Sequence, residues 1–85
     1  MRPGDGSGDA ILSRRVRSEI IRRELNTQKL EVKVIHGVAY LGGELGPTRH
    51  NRITDGRREM EIVETVVRGI SGIRDVDNRV KWVEL

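Results

Sequence analysis

Cysteine is absent from the 85 residues, which excludes disulfide frameworks, thiolate metal sites and cysteine nucleophiles together. Phenylalanine is absent as well, and Tyr40 and Trp82 are the only aromatic side chains. A core must then be built from Ile, Val and Leu, and little is available on which unpaired nucleic-acid bases could stack. Long apolar runs are also missing. No window approaches the roughly 18 residues that a membrane-crossing helix needs, and none resembles the apolar stretch of a secretory signal, so the chain as read is expected to be soluble. Catalytic patterns are equally scarce. The histidines are His36 and His50 alone, and there is no HExxH, nucleophile elbow or phosphate-binding loop. Gly42 to Gly46 is glycine-rich but is followed by no GK[ST]. Asp75 and Asp77 lie one strand step apart, a spacing that suits a solvated edge better than a cation site. The expectation is a chain with no catalytic residues, no bound metal and no cofactor.

What is present is charge. Charged residues make up 34% and hydrophobic residues 35%, with a formal net charge of +3 and a pI near 10.0. That balance suits one small, highly soluble domain, and the basic lean fits an anionic partner such as lipid headgroups or nucleic acid and equally an ordinary basic domain. A chain of this size buries only about 60–65% of its unfolded surface, so its stability amounts to a few kcal/mol.

Residues 1–8, rich in Gly, Pro and Asp, read as a flexible leader, and 9–85 as the domain. Asp9 stands where an N-cap belongs, and Leu12, Val16 and Ile20 recur at helical spacing, predicting a helix over 10–24. Asn26 and Thr27 are placed to end it. The period then changes. Leu30, Val32 and Val34 alternate with Glu31 and Lys33 as in a half-buried strand. His36-Gly37 provides a tight turn, Val38 to Leu41 a return strand, and Gly42-Gly43 a bulge or close backbone approach. Gly46-Pro47 stops this strand. A second helix, with Met60, Val63, Val67 and Ile70 on one stripe, starts either near Thr48 or near Asp55. The later start is favoured because Gly56 inside a helix costs about 1 kcal/mol relative to Ala. Ser71-Gly72 closes it, and Val76, Asn78, Val80 and Trp82 mark a third strand. The expected fold class is α+β, in the order α-β-β-α-β. Its helices pack on one face of a three-stranded mixed sheet, with strand 3 parallel to strand 1 and strand order 2-1-3.

Three segments of this pattern resemble the BON domain, named for bacterial osmotically inducible and nodulation proteins. They are Asp9 to Leu12 with Val16 and Ile20, the hairpin Val32 to Gly43, which resembles V-x-V-x-x-G-x-V-x-L-x-G, and Gly72 to Val80, which resembles G-V-x-x-V-x-N-x-L. Together they span nearly all of 9–83. Gly37, Gly43, Gly72 and Asn78 read as structural: a turn, a strand-end bulge, a helix end, and a polar tie from the last strand to a nearby loop. Two departures stand out. The segment from Leu45 to Met60 is longer than expected, and His36 replaces a small polar turn residue. The resemblance implies a non-catalytic adaptor that binds anionic phospholipid or a cell-envelope protein. It also implies a periplasmic or envelope location, although the sequence carries no export signal.

Two surfaces are candidates for that binding. On the first helix, at about 100° per residue, Ile11, Ile21 and Leu25 fall opposite the core stripe and are interleaved with Arg14 and Arg22. An apolar line flanked by arginines suits a membrane interface or a partner groove, unless these residues tuck under neighbouring segments. Ile62 and Val66 form a similar second stripe on the second helix. The other candidate is the cluster Arg49, His50, Arg52, Arg57 and Arg58, whose guanidinium groups would suit phosphates. Local ion pairs to Glu59, Glu61 and Glu64 are its competing explanation. Two other function classes are alternatives. One is a structural or homo-oligomerising module using exposed strand edges. The other, weaker, is a KH-like nucleic-acid reader suggested by the GxxG at Gly69 to Gly72. In KH domains, however, that loop joins two helices, whereas here it leads into a strand.

Overall fold

A computed structural model describes residues 7–51 and 55–84. Helix α1 spans Ser7–Ile21, strands β1 and β2 span Leu30–Ile35 and Val38–Leu45, helix α2 spans Gly56–Arg68, and strands β3 and β4 span Asp75–Asn78 and Lys81–Trp82. The α+β class and element order agree with the sequence reading. Both helices cover one sheet face, and the core between them is aliphatic. It is formed by Val16 and Ile20 of α1, Leu30 and Val34 of β1, Ala39, Leu41 and Leu45 of β2, Val63 and Val67 of α2, and Val76 of β3.

The first helix begins at Ser7, so Asp9 lies in its first turn rather than at the N-cap, and most of the proposed leader (1–6) falls outside the described residues. Asp9 has a different task. Its Oδ2 accepts from the His36 N–H at 3.2 Å, Ser13 Oγ accepts from the Val34 N–H at 3.1 Å, and Arg17 Nη2 donates to the Leu30 carbonyl at 3.0 Å. Asp9, Ser13 and Arg17 are spaced four apart, on one helix face. They form a polar stripe along the outer edge of β1, beside the apolar stripe that enters the core. An open strand edge is a template for unwanted pairing; here helical side chains occupy it.

The helix also ends earlier than Asn26 and Thr27. The N–H groups of Arg23 and Glu24 bond back to the Ile20 and Ile21 carbonyls, and Glu24 adopts a left-handed φ of 59°. This exit reverses the chain and drives Leu25 into the core, 6% exposed. Continuing the helix would have left Leu25 on the outer side beside Ile21, so burial of a leucine outweighs the cost of a non-glycine residue at positive φ.

His36 and Gly37, at φ 50° and 81°, make the two-residue turn with both centres left-handed that matches the twist of an antiparallel pair. The hairpin register runs from Ile35↔Val38 to Leu30↔Gly43. Gly43, at φ 78°, stands so close to the Lys29 carbonyl oxygen that a Cβ would collide with it, and Glu44 N–H bonds to that same oxygen at 3.0 Å. The strand nevertheless runs on to Leu45, beyond the anticipated bulge.

β3 pairs in parallel with β2, not with β1, so the order is β1-β2-β3 rather than the expected 2-1-3. Two physical reasons agree. The outer edge of β1 is occupied by α1, and the crossover through α2 returns to the free edge of the strand it left. The last strand is also split. β4 keeps the offset of β3 against β2, as Leu41↔Asn78 and Glu44↔Lys81 show, but pairing lapses opposite Gly42 and Gly43. There Asn78 Oδ1 accepts from the Val80 N–H at 3.0 Å.

α2 follows the later of the two proposed starts. Asp55 is its N-cap and accepts from the Arg58 N–H at 3.1 Å. Gly56 is thus a first-turn residue, where its helix penalty is small, and the Trp82 indole fills the space a Cβ would take. The helix ends at Arg68 with Gly69 as C-cap, so Gly72 sits in the connection to β3, at φ 100° beneath Leu12, rather than at the helix end.

Candidate binding surface

The outer face of α1 carries Arg14, Arg15 and Arg22, all exposed, with Ile11 and Ile21 exposed at 62% and 50%. Leu25 does not belong to it, having turned inward at Glu24. Without Leu25 the proposed apolar line reduces to two isoleucines about 15 Å apart along the helix axis. Arg15 and Arg22 both reach Glu19, at 4.0 and 3.7 Å, a pairing that leaves this face basic.

Of the second cluster, Arg49, His50, Arg57 and Arg58 are exposed, and Arg52 lies outside the described residues. Among the described residues, Arg49, His50, Arg57 and Arg58 form no ion pair with Glu59, Glu61 or Glu64. Glu59 is 4% exposed and held from the far side by Arg23, whose Nε and Nη2 donate to its two oxygens at 2.7 and 2.8 Å. Glu64 Oε2 accepts from Asn78 Nδ2 at 3.0 Å. Asn78 therefore ties the last strand to α2, not to a loop. The hydrogen bond that Arg23 donates to Glu59, then desolvation acting against it and the carboxylate charge acting with it, leave the Arg23 guanidinium pKa raised above its ordinary value.

The same pair brings the two candidate surfaces together. Arg23 follows Arg22, and Glu59 follows Arg58. Asn51 Nδ2 donates to the Arg23 carbonyl at 2.8 Å, and Thr48 Oγ1 to the Glu24 carbonyl at 3.4 Å. The end of α1, the connection carrying Arg49 and His50, and the first turn of α2 are thereby laced into one cationic end of the molecule. Ile62 and Val66 continue from Arg58 at intervals of four along α2. They remain half-buried around a shallow depression shared with Arg58, Glu61 and Thr65.

Sequence reasoning missed Arg23 and Glu59 as the organising pair. A signal was present: Glu59 falls at i, i+4 and i+8 with Val63 and Val67, and a carboxylate on a buried stripe needs a partner. It also missed the sheet face opposite the helices, where Tyr40 is 41% exposed. The Gly69 to Gly72 segment joins a helix to a strand, which is not the helix-to-helix position of a KH loop. Among the described residues no three His, Asp or Glu side chains converge on a point that could hold a metal ion, and no helix is long and apolar enough to cross a membrane. Compared with family models and with curated proteins, the sequence finds no match.

Proposed function

We propose that this protein is a non-catalytic binding module of the BON type whose cationic end docks on anionic phospholipid. The observation that carries this reading is the lacing of Arg22, Arg49, Arg57 and Arg58 around the Arg23–Glu59 pair and Asn51. The fold holds the backbone that carries these arginines, so on meeting phosphate oxygens only their side chains have to be ordered. Exposed Ile21, and Ile62 and Val66 below Arg58, supply apolar contact at headgroup depth.

Cosedimentation with phosphatidylglycerol vesicles, set against phosphatidylcholine vesicles, tests the proposal. Binding to the anionic vesicles alone, falling steeply with salt, is expected. At about 1 kcal/mol for each basic residue near such a surface, the double variant Arg22→Gln/Arg57→Gln should bind roughly 30-fold more weakly. Equal and negligible sedimentation with both vesicle types refutes the proposal, as does a double variant that binds like the parent.

A further inference from the structure

The sheet face away from the helices is arranged in rows across three strands. Register places Glu31 beside Gly42 in a first row, which Arg79, just past the end of β3, completes across a shared trough; Lys33, Tyr40 and Asp77 form the next row, and Ile35, Val38 and Asp75 the third. Tyr40 and Ile35 are exposed large side chains, and a shallow trough lies between Glu31, Lys33, Tyr40, Gly42 and Arg79. Across each of the first two rows the charge changes sign. Row one reads minus, glycine, plus; row two reads plus, tyrosine, minus.

We propose that this face pairs with the same face of a second copy, about a two-fold axis lying between the sheets and parallel to β2. Such a rotation exchanges the β1 side of one copy with the β3 side of the other at the same height along the strands. Glu31 then meets the second copy's Arg79, Lys33 meets its Asp77, and the two Tyr40 rings meet on the axis. Gly42 leaves no side chain beside the rings to hold the faces apart. The competing two-fold, perpendicular to the strands, sets Lys33 against Lys33 and Asp77 against Asp77, and like charges across an interface reject it. The sign pattern therefore chooses one orientation. Asp75 in the third row has no opposite charge across the axis, but Arg68 of its own copy lies 3.8 Å away. The pair between Arg79 and Asp77 within one copy, at 3.2 Å, is exposed and readily exchanged.

With strands about 4.8 Å apart and rows two residues apart, the face covers roughly 300 Å², short of the ~800 Å² per partner of a standard interface. The dimer is accordingly weak and fast, with a dissociation constant between about 0.1 and 1 mM. Its geometry has a consequence. α1 runs antiparallel to β1, with Asp9 at His36 and Arg17 at Leu30, so the cationic end lies where β2 finishes. An axis parallel to β2 keeps both cationic ends at the same end of the dimer, where one anionic surface engages both. That consequence rests on the lipid reading; the self-association does not.

Sedimentation equilibrium from about 10 µM to about 1 mM, without lipid, reads the dimer, since this range brackets the expected dissociation constant. Lys33→Glu and Asp77→Lys should each weaken it about tenfold, because each variant sets like charges together twice. The two single variants mixed should pair with one another as well as the parent pairs with itself. In that mixed dimer the introduced glutamate faces the introduced lysine, and the unaltered Asp77 of one copy faces the unaltered Lys33 of the other. Independently, a dilution series of the unmodified chain followed by amide chemical shifts should move Lys33, Tyr40, Gly42 and Asp77. A parent that stays monomeric to about 1 mM overturns the proposal. So do shifts confined to other surfaces, or a mixture no tighter than the single variants. Vesicle binding without self-association, or the reverse, separates this proposal from the lipid one.

Discussion

Removing Arg23 should destabilise the protein more than removing its partner, although both variants break the same pair. Arg23→Ala leaves Glu59, 4% exposed, without a donor between α1 and α2. Stranding one member of a fully buried pair costs about 3–5 kcal/mol. The Arg23 side chain is 37% exposed, so water reaches part of the vacated space, and we set the loss at about 2 kcal/mol. For a domain of this size that lowers Tm by roughly 8–15 °C. Glu59→Gln leaves a neutral amide rather than a charge in the buried position, and its Oε1 can still accept from Arg23, so about 1 kcal/mol is expected. The double variant Arg23→Met/Glu59→Met, which replaces charge by apolar volume, should return to within about 1 kcal/mol of the parent. Thermal and urea unfolding followed by Trp82 fluorescence measure all three. The pH dependence follows from the raised guanidinium pKa. A group whose folded pKa is raised stabilises fully below its unfolded pKa and loses that contribution only as pH rises through the folded one. For arginine that window is strongly alkaline, so Arg23 titration adds no slope to the penalty between about pH 6 and 9. An Arg23→Ala variant within about 0.5 kcal/mol of the parent, or one less damaged than Glu59→Gln, refutes the reasoning.

Leu25→Ala should cost about 2–4 kcal/mol because the side chain is buried, whereas Ile21→Ala, four residues earlier, should change stability by less than about 0.5 kcal/mol while weakening vesicle binding. Denaturant midpoints read the first effect and cosedimentation the second. Gly43→Ala combines a positive φ with a collision against the Lys29 carbonyl, and a loss above about 3 kcal/mol is expected, seen as a collapsed urea midpoint. Ser13→Ala removes the acceptor for the Val34 N–H on the outer edge of β1, costing about 1 kcal/mol and speeding hydrogen exchange at that amide. An unchanged Val34 exchange rate would show that α1 does not seal this edge.

Legibility followed the range of the interactions. The His36-Gly37 turn, the alternation of β1 and the stripe of Met60, Val63 and Val67 are set by neighbours within a few residues, and the structure has them where the sequence places them, whereas the third strand is split. Its local sequence makes Asp9 a capping residue, yet its bond crosses to His36. Helical spacing puts Leu25 on the outer face of α1, but the helix ends at Ile21 and Leu25 turns inward. In both cases a contact distant in sequence outweighed the local preference. The basic clusters were visible as composition, but nothing local indicated that they share one end of the molecule.

Periodicity and turn chemistry by themselves determined that this chain forms two helices and a hairpin-led sheet with an aliphatic core, because those signals are carried by residues two to four positions apart. Only the tertiary structure decided the strand order, the sealing of β1 by Asp9, Ser13 and Arg17, the gathering of arginines around Arg23 and Glu59, and the rows of alternating charge on the open sheet face. Each of these depends on which elements become neighbours, and that choice is made by burial and edge satisfaction over the whole domain rather than by any segment's own preference.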